Sequence, residues 1–287
     1  MSKGIKKMIN IDKFKICFIA KNEILTSIEN ENRINFNGFY IEKIPRNEIG
    51  NYYNIIIYND KEENGRYIFG EMQIGNKFEK DNLENRYCWI YVNNENLYPN
   101  NFRLNFLYCL QGIQEDIGLY FNNITNLDIA VDSNYNFFKK VWNEIRNKET
   151  INVILNKKYL NTKETLKGIF GEFPLNSERF LNGGFRISNK EKDMKLRIYD
   201  KTQEILDSSD KTYIQDRFIS IKKIFRSEVA LKNKSIEEYC VIKKLEQYDL
   251  YMRINDEELL WDIYRFYSDR LIHFVDLNRN KKSVLDL

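Results

Sequence analysis

Period-two alternation, closely spaced turns and helical stripes together predict an α+β fold built on antiparallel sheets. The runs LDIAVD (127–132), LRIYDKTQE (196–204) and FRSEVALKN (225–233) alternate apolar with polar residues, the pattern of strands with one buried and one open face. Between Phe14 and Asn93, five β-rich runs follow one another, broken by turn sequences such as NDKEENG. Apolar residues make up 43% of the 287 residues and aromatics 14%, enough to pack a core under such sheets.

In order, FKICFIAK, INFNGFYIEKI, YYNIIIYND, RYIFGEMQIG and RYCWIYVNN read as a mostly antiparallel sheet. The segment 102–121 sets Phe102, Phe106, Leu110, Ile113 and Ile117 along one helical stripe that packs on it. The second half runs strand 126–132, then helix 135–147 through Phe138, Val141, Trp142 and Ile145, then an unassigned stretch to about 177. Strands 178–188 and 194–200 joined at SNKEKD, a helix at 203–221 and a strand at 223–232 follow. This is the β-α-β-β-α-β order of a ferredoxin-like half, in which the first and third strands are central neighbours and the fourth lies beside the first. Helices at 235–248 and 255–272 and a mobile tail, LNRNKKSVLDL, close the chain. The domains expected are 1–124, 125–234 and 235–287.

With 45 basic and 42 acidic residues, the net charge of +3 excludes a protein that coats nucleic acid nonspecifically. From Arg186 to Lys234, however, 13 Lys and Arg stand against 8 Asp and Glu, a local basic excess. Cys17, Cys88, Cys109 and Cys240 form no C-x-x-C pair, which argues against a zinc site or a disulfide framework. No apolar run reaches the roughly 18 residues needed to cross a bilayer, and no leader pattern opens the chain, so a cytoplasmic protein without membrane partners is expected.

Strand parity sends Leu127, Ile129, Val131, Leu196, Ile198, Val229 and Leu231 toward the helices. Asp128, Asp132, Arg197, Tyr199, Arg226 and Glu228 then share the open face. Acids on adjacent strands, with His273 the sole histidine and expected on a helix, make an oxygen-only site suited to Mg²⁺ or Mn²⁺. Asp128 and Glu228 are the first ligands, with Asp132 and Glu204 as candidates. An ion beside a phenol suits phosphoryl chemistry, and Arg197, Lys201 or the ion would favour the phenolate of Tyr199. Each residue also has a plainer reading: Tyr199 is one of 19 tyrosines, and Glu228 beside Arg226 or Arg197 matches an ordinary cross-strand ion pair. The chemical reading requires the Tyr199 oxygen within about 8 Å of the Asp128 and Glu228 carboxylates, given the spacing of paired strands.

LDIAVD, GGFRISNKEKDMKLRIYDKTQEI and FRSEVALKNKSI, in that order, resemble the replication initiation factor family, the rolling-circle initiators of small plasmids and filamentous phages. The likeness covers roughly residues 125–240 and is nearest the gene II-like plasmid branch of Bacteroidetes. It implies a divergent rolling-circle nuclease fold and an endonuclease that nicks one strand at a replication origin. Such an enzyme stays on the 5′ phosphate through a tyrosine and leaves a 3′ hydroxyl. Y-D-K-x-x-E then marks Tyr199 as nucleophile and Glu204 as its acidic partner, L-D-x-x-x-D supplies Asp128 and Asp132, and R-x-E supplies Arg226 and Glu228. Arg226, Arg186 and Lys195 are the expected phosphate contacts. The chain departs from the histidine-hydrophobe-histidine metal motif of many such nucleases, since it has one histidine.

The resemblance implies single-stranded or hairpin origin DNA as substrate, 1–124 as the DNA-recognition half and 125–234 as the catalytic half. Host helicase and polymerase are the implied partners, with homodimerisation open. Two alternatives remain at this point. One is a noncatalytic module in which Tyr199, Tyr91 and Trp89 stack bases; the other is a mobilisation relaxase with the same chemistry.

Overall fold

The computed structural model describes residues 7–45, 51–80, 82–98, 103–147, 150–161, 164, 184–189, 193–208, 211–218 and 223–286. In chain order its elements are β1 (Lys7–Lys21), α1 (Asn22–Asn30), β2 (Arg33–Asn35), β3 (Phe39–Ile44), β4 (Asn51–Tyr58), β5 (Arg66–Phe78), β6 (Asn85–Val92), α2 (Asn94–Leu97), α3 (Phe106–Ile117) and β7 (Tyr120–Ser133). There follow α4 (Phe137–Ile145), β8 (Thr150–Leu155), β9 (Lys158–Leu160), β10 (Phe185–Asn189), β11 (Met194–Asp200), α5 (Lys201–Ser208), α6 (Thr212–Asp216) and β12 (Phe225–Lys232). The last are α7 (Asn233–Lys243), α8 (Gln247–Met252), α9 (Glu257–Leu271), β13 (Ile272–Asp276) and β14 (Lys281–Lys282). They form two units, one of residues 12–127 and 236–255, the other of 1–11, 128–235 and 256–287. Neither unit is continuous in sequence, because β1 and β7 each contribute to both and the C-terminal helices divide between them.

In the first unit the strand order is β7-β1-β6-β5-β4-β3-β2, antiparallel from β1 through β2. Alternation buries Phe14, Ile16, Phe18, Cys88, Ile90 and Val92, and their side chains form the core with α1, α3 and α8. Phe14 meets Phe106 of α3 edge to face at 5.8 Å, and Phe121 stacks on Tyr251 of α8 at 5.0 Å. Helix α3 is shorter than the expected 102–121 because Asn105 caps its start, accepting from the Leu107 amide, and Gly118 ends it in the left-handed region (φ 75°).

In the second unit the order is β10-β11-β12-β7-β1, with β10, β11 and β12 antiparallel neighbours. The ferredoxin-like arrangement expected from element order is therefore not the one formed. The fourth strand, β12, does lie beside the first, β7, but it separates β7 from the third, β11. Strands β8 and β9, in the stretch left unassigned by sequence, belong to a separate sheet of order β14-β13-β8-β9. Asn156 and Lys157, both at positive φ, make the tight β8–β9 turn. The expected helix at 203–221 is two short ones, α5 and α6; its residues 209–210 and 219–221, residues 190–192 of the SNKEKD turn and residues 178–183 of the strand expected at 178–188 lie outside the described residues.

The C-terminal expectations need correction. Lys244 at φ 56° ends α7, so the helix expected to 248 is divided. His273 lies on β13, where its Nδ1 is 2.7 Å from the Asp269 carbonyl oxygen. The tail expected to be mobile turns at Asp276, whose carboxylate accepts from the Asn278 and Asn280 amides, and buries Val284 and Leu285. No described helix is long and apolar enough to cross a membrane.

Candidate active site

The site is built from the register of β11 on β12. Arg197 pairs with Glu228 and Tyr199 with Arg226, so these four side chains leave the same face. The opposite face carries Leu196, Ile198, Val229 and Leu231, all buried, against α4 and α9. Ser227 on that apolar side shares a hydrogen bond with Tyr264 of α9, which fastens the strand from behind.

On the polar face the Tyr199 hydroxyl donates to Glu228 Oε2 at 3.1 Å. Arg197 Nη2 donates both to Glu228 Oε1 and to Asp128 Oδ2, the latter at 3.2 Å, so one guanidinium bridges carboxylates from β12 and β7. The acids are nearly closed off, Glu228 at 1% and Asp128 at 8% exposure, whereas the Arg197 side chain is 41% exposed. Burial alone would lower the Arg197 pKa; the Glu228 and Asp128 charges outweigh it, and the net shift is upward. Its Nε is buried without a hydrogen-bond partner, a donor that a bound oxyanion or water would satisfy.

Immediately after Tyr199 the chain turns into α5. Asp200 accepts from the Gln203 amide at 3.0 Å, and the Lys201 amide donates to Ile224 O at 2.8 Å, so the helix start is tied to the approach to β12. Glu204 on the first turn pairs with the buried Lys201 ammonium, which lies 5.9 Å from the centre of the Tyr199 ring. A groove of about 580 Å³ opens here, lined by Gly184, Arg186, Arg197, Tyr199, Gln203 and Glu204 among others. Arg186 and Lys195 are both exposed, on β10 and β11.

Two expected members stand apart. Asp132 and Arg226 are 0% exposed and hold each other in a two-pronged ion pair, Nε to Oδ1 at 2.6 Å and Nη2 to Oδ2 at 2.7 Å. Both Asp132 oxygens are engaged by the guanidinium, and Arg226 offers no surface to a phosphate, so this pair is a structural element beside the site. Parity placed it on the right face; burial removed it from solvent.

The oxygen-only pair Asp128 and Glu228 supplies the donor type of a hard divalent ion, which commonly takes one or two protein carboxylates and completes its shell with water and phosphate; Arg197 and Tyr199 engage both Glu228 oxygens and Arg197 engages Asp128 Oδ2, so an ion there would take the place of the guanidinium. Asp132 does not extend that set, and among the described residues no three or more His, Cys, Asp or Glu gather in an arrangement that could hold a metal.

Gly184, part of the GGFRISNKEKD stretch, is given no role of its own by the sequence. It precedes β10 at φ 78°, and a Cβ there would lie 1.9 Å from Ile198 O and 2.6 Å from Tyr199 Cα. Gly184→Ala is therefore expected to destabilise the fold by about 2 kcal/mol or more, through left-handed strain and overpacking. A lowered urea midpoint checks it, and Gly184→Ala should also displace the Tyr199 backbone. A midpoint within error of the parent would contradict the contact.

No protein-family model matches the sequence, and no curated protein does. Among solved structures, the chain is similar to the rolling circle replication initiator protein from Geobacillus stearothermophilus, at 13% identity, with 84% of this chain and 80% of that chain covered and a TM-score of 0.38.

Proposed function

We propose that this protein is a DNA strand transferase that nicks one strand at a replication origin through Tyr199 and initiates rolling-circle replication. The observation that carries the reading is the Tyr199 hydroxyl donating to buried Glu228 beside Arg197 and Asp128, at the mouth of an open groove. The order of the matching sequence stretches around the same residues supports it.

In this mechanism Glu228 takes the phenolic proton as Tyr199 Oη attacks phosphorus. The Oη–P bond forms and the P–O3′ bond breaks. The departing oxygen takes a proton from solvent, leaving a 3′ hydroxyl for a host polymerase and a 5′-phosphotyrosine on the enzyme. Arg197, partly exposed and positively charged, faces the phosphate oxygens on which charge builds. Arg186 and Lys195 lie where flanking phosphates pass. Glu204 keeps Lys201 beside the Tyr199 ring. With Arg197 turned from these carboxylates toward the phosphate, a Mg²⁺ or Mn²⁺ ion would be held by Asp128 and Glu228 and would neutralise charge on the scissile phosphate. Because a phenol anchored on a sheet needs an accessible phosphate, the substrate is single-stranded or hairpin DNA.

The test uses oligonucleotides tiling the origin strand, labelled at either end. Cleavage should leave the label 3′ of the nick on denatured protein, and the other fragment should prime a polymerase. Release of both fragments with no adduct, or binding without cleavage, would overturn the proposal. Excess EDTA should abolish the adduct and added Mn²⁺ restore it; full yield in EDTA would reassign the metal's charge role to Arg197.

A further inference from the structure

We infer that the open face of the first unit's sheet is a second, noncatalytic binding site, on which Tyr87, Trp89 and Tyr91 stack the bases of single-stranded DNA while Lys13 and Lys15 take its phosphates. The identity of the strand rests on the strand-transfer reading; the site itself rests on separate observations. Strand β6 buries every second side chain, and Tyr87, Trp89 and Tyr91 are the alternate set, half-buried on the side away from the helices. Three rings at every second residue are spaced about 7 Å apart along the strand, which offers consecutive platforms to an extended chain of bases.

The neighbouring strands prepare this row. On one side, the register sets Lys15 opposite Tyr91 and Cys17 opposite Trp89. Lys15 Nζ lies 5.8 Å from the Trp89 ring centre and Lys13 Nζ 5.7 Å from that of Tyr91. On the other side, Gly75 of β5 leaves room for Trp89: a Cβ there would come within 2.6 Å of the indole Cζ3. The indole thus lies across the neighbouring strand. Tyr87 follows at 6.3 Å between ring centres.

Charge selects the occupant. Lys13, Lys15 and Lys21 line the β1 side of this face, with Glu71 on β5 opposite Tyr91. Burial, and after it the Lys13 charge, lowers the Lys15 pKa, a strain that a phosphate beside the two ammonium groups relieves. Aromatic rings interleaved with cations on an open sheet suit an unpaired strand. A duplex hides the base faces that the rings would contact.

The experiment measures binding of an oligo-dT strand to the full chain carrying Tyr199→Phe, so adduct chemistry plays no part. Trp89→Ala should weaken binding roughly tenfold or more, the effect of removing one stacked base, while Trp89→Phe retains most of it. Lys13→Gln with Lys15→Gln should flatten the slope of log affinity against log salt by about 1.4, for two phosphates on a single strand. With Trp142→Phe and Trp261→Phe added, the remaining Trp89 emission should be quenched as oligo-dT saturates the protein.

Unchanged affinity in folded Trp89→Ala, an unchanged salt slope in the lysine pair, or unquenched Trp89 at saturation each overturn the inference. Should Trp89→Ala fail to fold, the lysine pair decides. Equal binding of a fully paired duplex, with the same loss in Trp89→Ala, also overturns it. If the parent forms no adduct on origin DNA yet these variants lose affinity as expected, strand transfer falls and the platform stands.

Discussion

Tyr199→Phe is expected to abolish the covalent protein–DNA adduct while leaving fold and strand binding intact. The ring and its contact with Lys201 remain, and only the hydroxyl that donates to Glu228 Oε2 is lost. Glu228 keeps its bond from Arg197, so no buried charge is stranded and stability should change by no more than about 1.5 kcal/mol. The chemistry has no such reserve. Without a nucleophile the phosphodiester meets a base, cations and no attacking oxygen, and the rate should fall by about 10⁴-fold or more. Denaturing electrophoresis of labelled origin strand reads the adduct, and urea unfolding reads the fold. An adduct that survives in Tyr199→Phe would place the nucleophile on another tyrosine, and peptide mapping of the attached nucleotide would identify it; Tyr213, on α6, is the first to inspect.

Much of this site could be read from the chain because period-two alternation is local. Once LRIYD and FRSEVALK are strands, Arg197, Tyr199 and Glu228 must leave one face together, whatever else the protein does. Alternation cannot say how deeply a face is covered. Asp132 and Arg226 obey the same parity as Asp128 and Glu228, yet they are sealed with each other because of what packs around them in three dimensions. Ladder order was hidden for a similar reason: a β-α-β-β-α-β sequence is compatible with β12 beside β11 as well as with β11 beside β7, and long-range pairing decides. In the tail, Val284 and Leu285 are too short an apolar run to carry a period, so their burial left no mark in the pattern. Gly184 was quoted within a motif, but only coordinates show Ile198 and Tyr199 occupying the space of its missing Cβ.

The buried pair Asp132 and Arg226 yields the largest expected effect on stability. Asp132→Leu takes from a guanidinium with 0% exposure the carboxylate that grips its Nε and Nη2, and loss of one partner from such a pair typically costs about 3–5 kcal/mol. That is a large share of the roughly 5–15 kcal/mol that holds a domain folded. Arg226→Met strands the Asp132 carboxylate and should cost a similar amount. The double variant Asp132→Leu/Arg226→Met removes both charges and should recover most of the loss, since two apolar side chains of similar volume need no desolvation. Urea unfolding of the four proteins closes the cycle, and a coupling of about 2 kcal/mol or more is expected. A small, additive effect would mean that the two groups act independently. The cycle also separates structure from chemistry. Arg226 stands two residues before Glu228 on β12 and pairs in register with Tyr199, so breaking the ion pair should loosen the strand that holds the base against the phenol. Adduct yield should therefore fall in each single variant and return with stability in the double one. A phosphate-contacting arginine or a metal-ligating aspartate would behave differently, because restoring the fold with apolar residues cannot restore a contact to DNA or to an ion.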